Sequence, residues 1–543
     1  MKKVYITLMA VLVFIIAPGC KKYLDINSNP VTPQIVKAEL LLPPIQFQMH
    51  DDIWQDQRTT ISKVTQNFAG VSALDAALLW EKHGYTYNSD AGGVAWRMCY
   101  FDMGLNLENL INDAVANQKN EYAGIGYAIK AWTYQITTDQ YGPIILDDAF
   151  ANNKLSFRFQ DQPEVYAKVR DWCALALKYM NTPSPVSYAA TLQGASGDGI
   201  YKGDMTKWKK FVYAVLATQY GHLVNKAEFK TKYADSVIKY VDLSFANETE
   251  DPTVFFQASG TTDVNLAGPT NAGSTTSGVL NVSSYYCRQT STILGLLTGG
   301  VRGTPTASPA TSLDPRLSRY LTPGTSTSGT GNPTGTTYIA VTPTKGSTLT
   351  TVPNVLGSLP TGSTLFNGRY IFTDRARWPI MTYAQMQFIK SEAAFKKGDA
   401  TTAYTAYING IKASMDFYNQ YGRTQSIPDL AIATTEINAY LASSEVAQTA
   451  ASLTIADIMQ QKYIAQWGWG SIETWCDLRK YHYDPAVFHT YYQLAAADLQ
   501  YGKYKYRCRP RFNSEFVWNA AELTKFGGDL PTYETLETWF SQP

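Results

Sequence analysis

Apolar residues recur along much of the chain at the spacing of an α-helix. In the segment 125–136 they occupy positions i, i+3, i+4, i+7 and i+11, and similar stripes recur in 208–216, 400–411 and 455–463. Residues three and four apart share one face of an α-helix, so each stripe predicts an amphipathic helix packed on other helices. The chain is therefore expected to be mostly α-helical.

The segment 382–415 predicts two such helices joined by a short turn. Gly398 and Asp399 separate its two periodic runs. Glycine accepts the positive φ that ends a helix, and aspartate caps the amino end of the next one. Small and aromatic side chains fall where a tetratricopeptide unit packs its paired helices. Segments 123–180 and 205–242 have a similar size, so a scaffold of tetratricopeptide-like helical hairpins is expected.

Residues 259–368 interrupt this helical pattern. They include only seven charged residues and are rich in Thr, Ser, Gly, Pro, Val and Leu. Gly and Pro oppose helix, whereas Thr and Val tolerate strand, so the segment predicts long loops and short strands. A second loop is predicted between Asp75 and Ala95. Long loops in a compact domain are usually functional or disordered.

The first twenty residues predict an export signal. Lys2 and Lys3 precede an apolar run from Val4 to Ile16, and the run is followed by Ala-Pro-Gly before Cys20. Thirteen apolar residues are too few to span a bilayer as a helix, and these flanks are typical of a signal peptide. A small residue directly before a cysteine resembles a bacterial lipobox, so residues 1–19 are expected to be removed and Cys20 to be lipidated. Ordinary secretion with a free Cys20 is the alternative.

Composition excludes some classes of protein. The chain has 543 residues, 46 Lys and Arg against 45 Asp and Glu, and a formal net charge of +1. A chain that grips nucleic acid regardless of sequence needs a concentrated basic face, which this balance argues against. Aromatic residues make up 13%, with 37 Tyr, while charged residues make up only 17%. This balance suits the binding of neutral polar ligands, and it is also typical of a Tyr-rich core.

Familiar catalytic and metal-binding patterns are not found in the sequence. It contains no GxSxG, P-loop or HExxH motif, and its five His residues are scattered. The adjacent acids Asp51-Asp52 and Asp147-Asp148 are expected to be solvated or to cap helices. After Cys20, five Cys residues remain without a CxxC pair, and we expect buried free thiols, with one disulfide as the alternative. No catalytic residue, metal or cofactor is predicted.

Seven segments carry residue patterns that occur together in one family. They are CKKYLDIN from Cys20, TTDQYGPIILDDAF from Thr137, RFQDQPEVYAKV from Arg158, GDMTKWKKFVYAVLATQYGHL from Gly203, DPRL from Asp314, RWPIMTYAQMQFIKSEAAFKKGD from Arg377 and QKYIAQWGWGSIETWCDLRK from Gln461. In this order, across nearly the whole chain, they resemble the motifs of the SusD/RagB-like outer-membrane nutrient-binding lipoproteins of Bacteroidetes. The segment from Arg377 is the closest, being similar to "PIMTYAExxFIKAEAAxKGD".

The resemblance implies a fold and a function. Residues 20–543 would form one SusD-like domain, with tetratricopeptide-like hairpins as scaffold and inserted loops as the ligand face. Family members lie on the cell surface, anchored to the outer membrane, and pass glycans, or peptides in some branches, to a TonB-dependent barrel of the SusC type. The chain is therefore predicted to bind an oligosaccharide or polysaccharide and not to be an enzyme. A peptide-binding member, a lipid-anchored enzyme acting on glycosides and an adhesion scaffold remain alternatives.

The candidate ligand-binding residues come from the predicted loops. Sugar C–H faces stack on aromatic rings, and hydroxyl groups pair with polar side chains. Tryptophans on the helical stripes and in the Trp467–Trp475 run are expected to be core instead. The candidates are Trp80, Tyr85, Tyr87, Tyr285, Tyr286 and Arg288.

Overall fold

A computed structural model confirms that the chain is mostly α-helical. Because the long periodic segments are helical, the described chain is dominated by packed helices, and its strands are short. The structure describes residues 36–70, 79–86, 88–260, 263–270, 287–305, 313–324, 337–346, 352–358, 366–423 and 430–543.

The longer helices carry many of the buried apolar side chains. Within the described ranges, the helices of eight or more residues are α1 Ala38–Asp56, α2 Gly104–Ala116, α3 Asn120–Tyr141, α4 Gln162–Met180, α5 Met205–His222, α6 Ala234–Leu243, α7 Tyr383–Lys397, α8 Ala400–Phe417, α9 Thr434–Leu441, α10 Ile455–Gln466 and α11 Ser471–Lys480. Shorter α-helical turns are Ser62–Val64, Val94–Arg97, Ala189–Gln193, Ser291–Gly295, Arg316–Tyr320 and Ala520–Lys525.

Successive helices pack as hairpins, as the sequence predicts. Helix α3 packs on α4, α5 on α6, and α7 on α8. At the turn between α7 and α8, Gly398 adopts a φ of 94°, which only glycine reaches without strain. The Asp399 carboxylate accepts a hydrogen bond of 3.1 Å from the backbone N–H of Thr402 and so caps α8. Both roles predicted for this turn are confirmed.

The strands of the described chain form isolated antiparallel pairs. They are β1 Phe68–Ala69, β2 Ile144–Ile145, β3 Phe159–Gln160, β4 Thr253–Phe256, β5 Arg288–Gln289, β6 Gly357–Ser358, β7 Phe366–Asn367 and β8 Ala376–Pro379. The pairs are β1 with β5, β2 with β3, β4 with β8, and β6 with β7. The loops and short strands expected in 259–368 are present in its described parts, together with the helical turns Ser291–Gly295 and Arg316–Tyr320.

Strand pairing attaches the loop-rich segment to the scaffold. Phe68 is in register with Gln289 and Ala69 with Arg288. The Thr290 hydroxyl donates a hydrogen bond of 2.6 Å to the carbonyl of Gln66, which follows the helical turn Ser62–Val64. These contacts hold residues 287–290 against a part of the chain more than 200 positions earlier.

Buried aromatic rings join the elements at the centre of the protein. Trp54 on α1 lies 5.2 Å from Trp378 on β8, measured between ring centroids, and Phe68 lies 5.8 Å from Trp467. The indole N–H of Trp467 donates to the carbonyl of Asn67 at 3.1 Å. Rings at these separations attract edge to face while excluding water. The tryptophans expected to be core are buried: Trp132, Trp208, Trp467, Trp469 and Trp475.

The DPRL motif is structural. Arg316 is completely buried and forms an ion pair of 2.7 Å with Asp314. It also donates to Ser414 on α8 and to Gln461 on α10, at 2.9 and 2.8 Å. Five donors in a planar fork let one arginine satisfy all these acceptors. The motif therefore ties the loop-rich segment to two scaffold helices.

The remaining cysteines are free and buried, as expected. They are Cys99, Cys173, Cys287, Cys476 and Cys508. Burial raises the pKa of each thiol, which keeps it protonated and unreactive. Among the described helices, none combines the length and the apolar character that crossing a bilayer requires.

Candidate functional site

The described candidates from the sequence are buried. Trp80, Tyr85 and Arg288 expose only 4%, 5% and 3% of their surface. Tyr87, Tyr285 and Tyr286 lie outside the described residues, as does Cys20. The expectation that Trp80, Tyr85 and Arg288 present an open loop surface is therefore wrong. Their role in ligand binding stays a prediction, and their burial argues against it.

The carboxyl-terminal part of the chain covers Trp80 and Tyr85, in the loop predicted between Asp75 and Ala95. The Lys505 ammonium lies 3.7 Å from the ring centroid of Trp80, and the Arg509 guanidinium lies 4.0 Å from that of Tyr85. Lys505 also forms a buried ion pair of 2.7 Å with Glu534. Cations over aromatic faces are attracted by the ring quadrupole, more strongly when water is excluded. This cover explains why aromatics of a loop-like sequence lie inside.

Arg288 also has a structural role. It lies on β5, and its Nη1 donates a hydrogen bond of 2.8 Å to the carbonyl of Val352. Burial lowers the pKa of Arg288 to about 10, so the side chain remains charged at neutral pH. The contact joins two parts of the loop-rich segment.

Exposed apolar side chains occur on three segments of the described chain. Trp518 exposes 80% of its surface, Phe101 76%, Val517 51% and Leu155 95%. Lone exposed apolar residues are common, whereas exposed apolar residues on segments that lie together are typical of a binding surface. We call the segments 96–105, 150–161 and 511–530, which carry these side chains, the aromatic loop face.

Buried contacts bring the three segments of the aromatic loop face together. The indole N–H of Trp96 donates to Glu515 at 3.3 Å, which joins the first segment to the third. Asn519 pairs with the backbone of Phe157, accepting at 3.0 Å and donating at 2.8 Å, which joins the third to the second. Burial, the largest cause, raises the pKa of Glu515. The exposed rings therefore project from a braced base.

A groove runs along one edge of the aromatic loop face. The rings of Phe159 and Phe526 lie 4.6 Å apart in it, and an ion pair of 2.6 Å joins Lys525 to Glu522. Rings beside groups of both charges suit a ligand with apolar C–H faces and many hydroxyls. The groove is lined by Pro143, Arg158, Phe159, Asp161, Glu522, Lys525 and Phe526.

The matched segments include Pro143, Arg158, Phe159 and Asp161 of the groove, whereas Phe101, Leu155 and the carboxyl-terminal residues of the aromatic loop face lie outside them. The sequence does carry one signal, the run Phe516-Val517-Trp518 just before the short helix Ala520–Lys525. Three consecutive large apolar residues cannot all face the same side of a short helical segment. Such a run is a signal for an exposed apolar side chain, and the candidate residues predicted from the sequence do not include it.

Beside the aromatic loop face lies a buried carboxyl cluster. Asp52 is completely buried, and Arg97 lies 3.4 Å from Asp52 and 2.6 Å from Asp102. Burial, reinforced by the nearby Asp102 and Asp51, raises the pKa of Asp52 to about 9. The expectation that the acids of the Asp51-Asp52 pair are solvated or cap helices is wrong for Asp52, which is buried within α1. The raised pKa favours the neutral form of this carboxyl more than that of an exposed aspartate.

One group of four within the described chain has the residue types of a metal site. The ligand atoms of Asp139, His222, Glu473 and Cys476 all lie within 4.8 Å of one another. His222 already has both nitrogens engaged, at 3.3 Å from Asp139 and 3.0 Å from Glu473. Burial opposes its charge, but the two carboxylates outweigh burial and raise the pKa of His222 well above its usual value. With both of its nitrogens held by carboxylates, His222 forms an internal ion-pair network with Asp139 and Glu473.

A match to a known sequence family establishes the family of this chain. The sequence profile SusD-like_2, described as "Starch-binding associating with outer membrane", matches residues 29–255 and 310–497. The chain belongs to the SusD-like family. This confirms the resemblance found in the sequence motifs and associates this SusD-like protein with carbohydrate binding at the outer membrane. No curated protein matches the sequence.

Solved structures share the fold of this SusD-like protein. A SusD/RagB family protein of Bacteroides thetaiotaomicron superposes with a TM-score of 0.67 at 17% identity, covering 93% of this chain and 99% of that chain. A structure described as a chitin-binding protein gives 0.66 at 16% identity, with coverages of 93% and 99%. A SusD homolog of Bacteroides fragilis gives 0.62 at 16% identity, with coverages of 93% and 100%. At these identities the likeness establishes the fold alone.

Proposed function

We propose that this SusD-like protein is a surface lipoprotein that captures an oligosaccharide or polysaccharide and delivers it to a SusC-like TonB-dependent barrel. Capture would occur on the aromatic loop face. The observation that carries the proposal is the pairing of family membership with the exposed rings of Phe101 and Trp518 on a braced base. Capture and delivery require no bond to be made or broken, so we assign no catalytic residue.

The chemistry of the aromatic loop face supports a glycan. A pyranose ring has an apolar face that stacks on an indole, and its equatorial hydroxyls reach neighbouring polar groups. The groove supplies hydrogen-bond donors on Lys525 and Arg158 and acceptors on Glu522. An acidic polymer would need a surplus of positive charge, whereas this groove contains charges of both signs.

The first test is calorimetric titration of residues 21–543 with neutral and acidic oligosaccharides, starch and chitin fragments among them, and with short peptides. We expect one neutral glycan class to bind and to be recovered unchanged. A Trp518→Ala variant that keeps its fold should bind that glycan more weakly. Binding of peptides alone, or release of a shortened sugar, would contradict the proposal and support one of the alternatives.

Anchoring and delivery are tested in the membrane. We expect the full chain to fractionate with outer membranes, to be cut by protease added to intact cells, and to co-purify with a barrel of the TonB-dependent class. A Cys20→Ala variant should lose membrane attachment, because acyl chains on the cysteine supply the anchor. Protection from protease on intact cells would contradict the exterior orientation.

A further inference from the structure

A narrow cleft lies inside the helical scaffold, apart from the aromatic loop face. Its lining residues come from α1, α3, α5, α7, α11 and β8 and from the short connections beside them. Most of the lining side chains are apolar, and three of them are the indoles of Trp132, Trp378 and Trp469. Apolar pockets with a few convergent polar groups are the usual form of small-molecule sites.

Three buried polar atoms in this cleft have no hydrogen-bond partner. They are Oε1 of Gln57, Oγ1 of Thr218 and Oε1 of Gln385. The three side chains expose 2%, 5% and 1% of their surface, so bulk water does not satisfy them. Leaving such a group unbonded costs on the order of 1–3 kcal/mol. Three of them on side chains that line one cleft indicate a site that a polar group on a ligand completes.

The contacts of Gln57 determine which kind of group that is. Its Nε2 donates to the carbonyl of Trp469, so a flipped amide would set two oxygens against each other. Oε1 of Gln57 is therefore an acceptor, and its partner must bring a hydrogen-bond donor. Gln385 offers a second acceptor oxygen, and the Thr218 hydroxyl both donates and accepts.

Size and charge narrow the ligand further. The space open to the centre of a water molecule is about 50 Å³. Since one water needs roughly 10–15 Å³ by this measure, the cleft has room for only a few small groups. The one ionised group of the lining, Glu473, is already paired with His222 at 3.0 Å. A charged ligand would find no counter-charge, and a glycan chain would not fit.

We propose that this cleft binds a small neutral molecule that carries a hydroxyl donor on a compact apolar body. The hydroxyl hydrogen would be donated to Oε1 of Gln57, the hydroxyl oxygen would accept from the Thr218 hydroxyl, and the apolar body would lie among the indoles. This site goes beyond the proposed capture of glycan, and its test does not depend on that proposal.

2-Propanol and acetone form a matched pair of probes, because they share size and shape and differ in the donor. Ligand-observed NMR of residues 21–543 measures the dissociation constant of each. We expect 2-propanol to bind at least tenfold more tightly than acetone. Equal affinity would overturn the assigned donor, and no binding of either probe would overturn the site, leaving a cleft that holds ordered water only.

Variants locate the binding. Thr218→Val keeps the shape of the side chain and removes the hydroxyl, and Gln57→Met removes the assigned acceptor; each should weaken 2-propanol binding at least fivefold and leave acetone unchanged. Ile136→Trp, in the lining of the cleft, should abolish binding of both probes. Leu243→Ala, on the exposed side of α6, is the control and should change neither. Variants with a normal thermal melt that still bind 2-propanol like the wild type would overturn the proposal.

Discussion

Trp80 and Trp518 both lie in stretches of sequence without helical periodicity, yet they differ in their exposure to solvent. Trp80 is 4% exposed beneath Lys505, whereas Trp518 is 80% exposed on the aromatic loop face. Local sequence does not separate the two residues. The difference lies in whether a distant segment covers the ring. The segment near Lys505 covers Trp80, and Trp518 has no such cover.

This comparison separates two uses of aromatic side chains. Lys505 and Arg509 lie over the rings of Trp80 and Tyr85. These contacts stabilise the packing of two segments that are far apart in sequence. Around Trp518 the base is braced by Asn519 and Glu515, while the ring itself remains available. An available ring on a rigid base loses little conformational entropy on binding, which favours affinity.

Removing the cation from the covered region should have the largest effect. Lys505→Ala leaves Glu534, which is 1% exposed, buried without its partner and also uncovers the Trp80 ring. Breaking a buried pair in this way costs about 3–5 kcal/mol. We expect the free energy of unfolding in urea to fall by that amount. Exposed Lys503→Ala is the control; if both variants lose equally little stability, the buried pair is not what holds the cover.

Trp80→Ala should destabilise the protein by about 3–5 kcal/mol, because truncating a buried tryptophan leaves a cavity. The measurement is again urea unfolding, combined with glycan titration of the folded variant. Unchanged glycan affinity would assign Trp80 to the core. A weaker affinity in a variant that is still folded would place Trp80 in the ligand site. The contrast with Trp518 would then be wrong.

Trp518→Ala should give the converse result. Its exposed ring contributes little to folding, so we expect a stability change below about 0.5 kcal/mol. Loss of a stacking surface should weaken glycan binding by about 1–3 kcal/mol, taking a central aromatic anchor as guide. Calorimetry checks the affinity, with Leu243→Ala as an exposed control on the scaffold. An unchanged affinity would remove Trp518 from the site.

The smallest effect is expected at the edge of the aromatic loop face. Arg511 and Asp90 form an ion pair of 2.7 Å with side chains 28% and 27% exposed. Exposed pairs contribute about 0–1 kcal/mol, and Asp90 keeps its hydrogen bonds to Asn513 in Arg511→Ala. Urea unfolding should therefore register a loss below about 1 kcal/mol. A larger loss would mean that this pair, rather than the buried contacts, braces the face.

Local features of the fold were predictable. The stripe in 125–136 lies on α3, and the Gly398-Asp399 pair ends one helix and caps the next, because these signals act within a few residues of chain. The candidate site was less predictable. Its loop residues were chosen for lacking periodicity, but Lys505 reaches His83 from 422 positions away, a contact that no local pattern contains.

Periodicity, the conformational freedom of Gly398 and motifs read in order are enough to predict the helices, the hairpin turn between α7 and α8, and the family to which the chain belongs. Tertiary packing is needed to show that Trp80 is covered and Trp518 exposed, and that burial raises the pKa of Asp52. Exposure and pKa depend on which distant segments exclude water from a side chain, and that is set by packing of the whole chain.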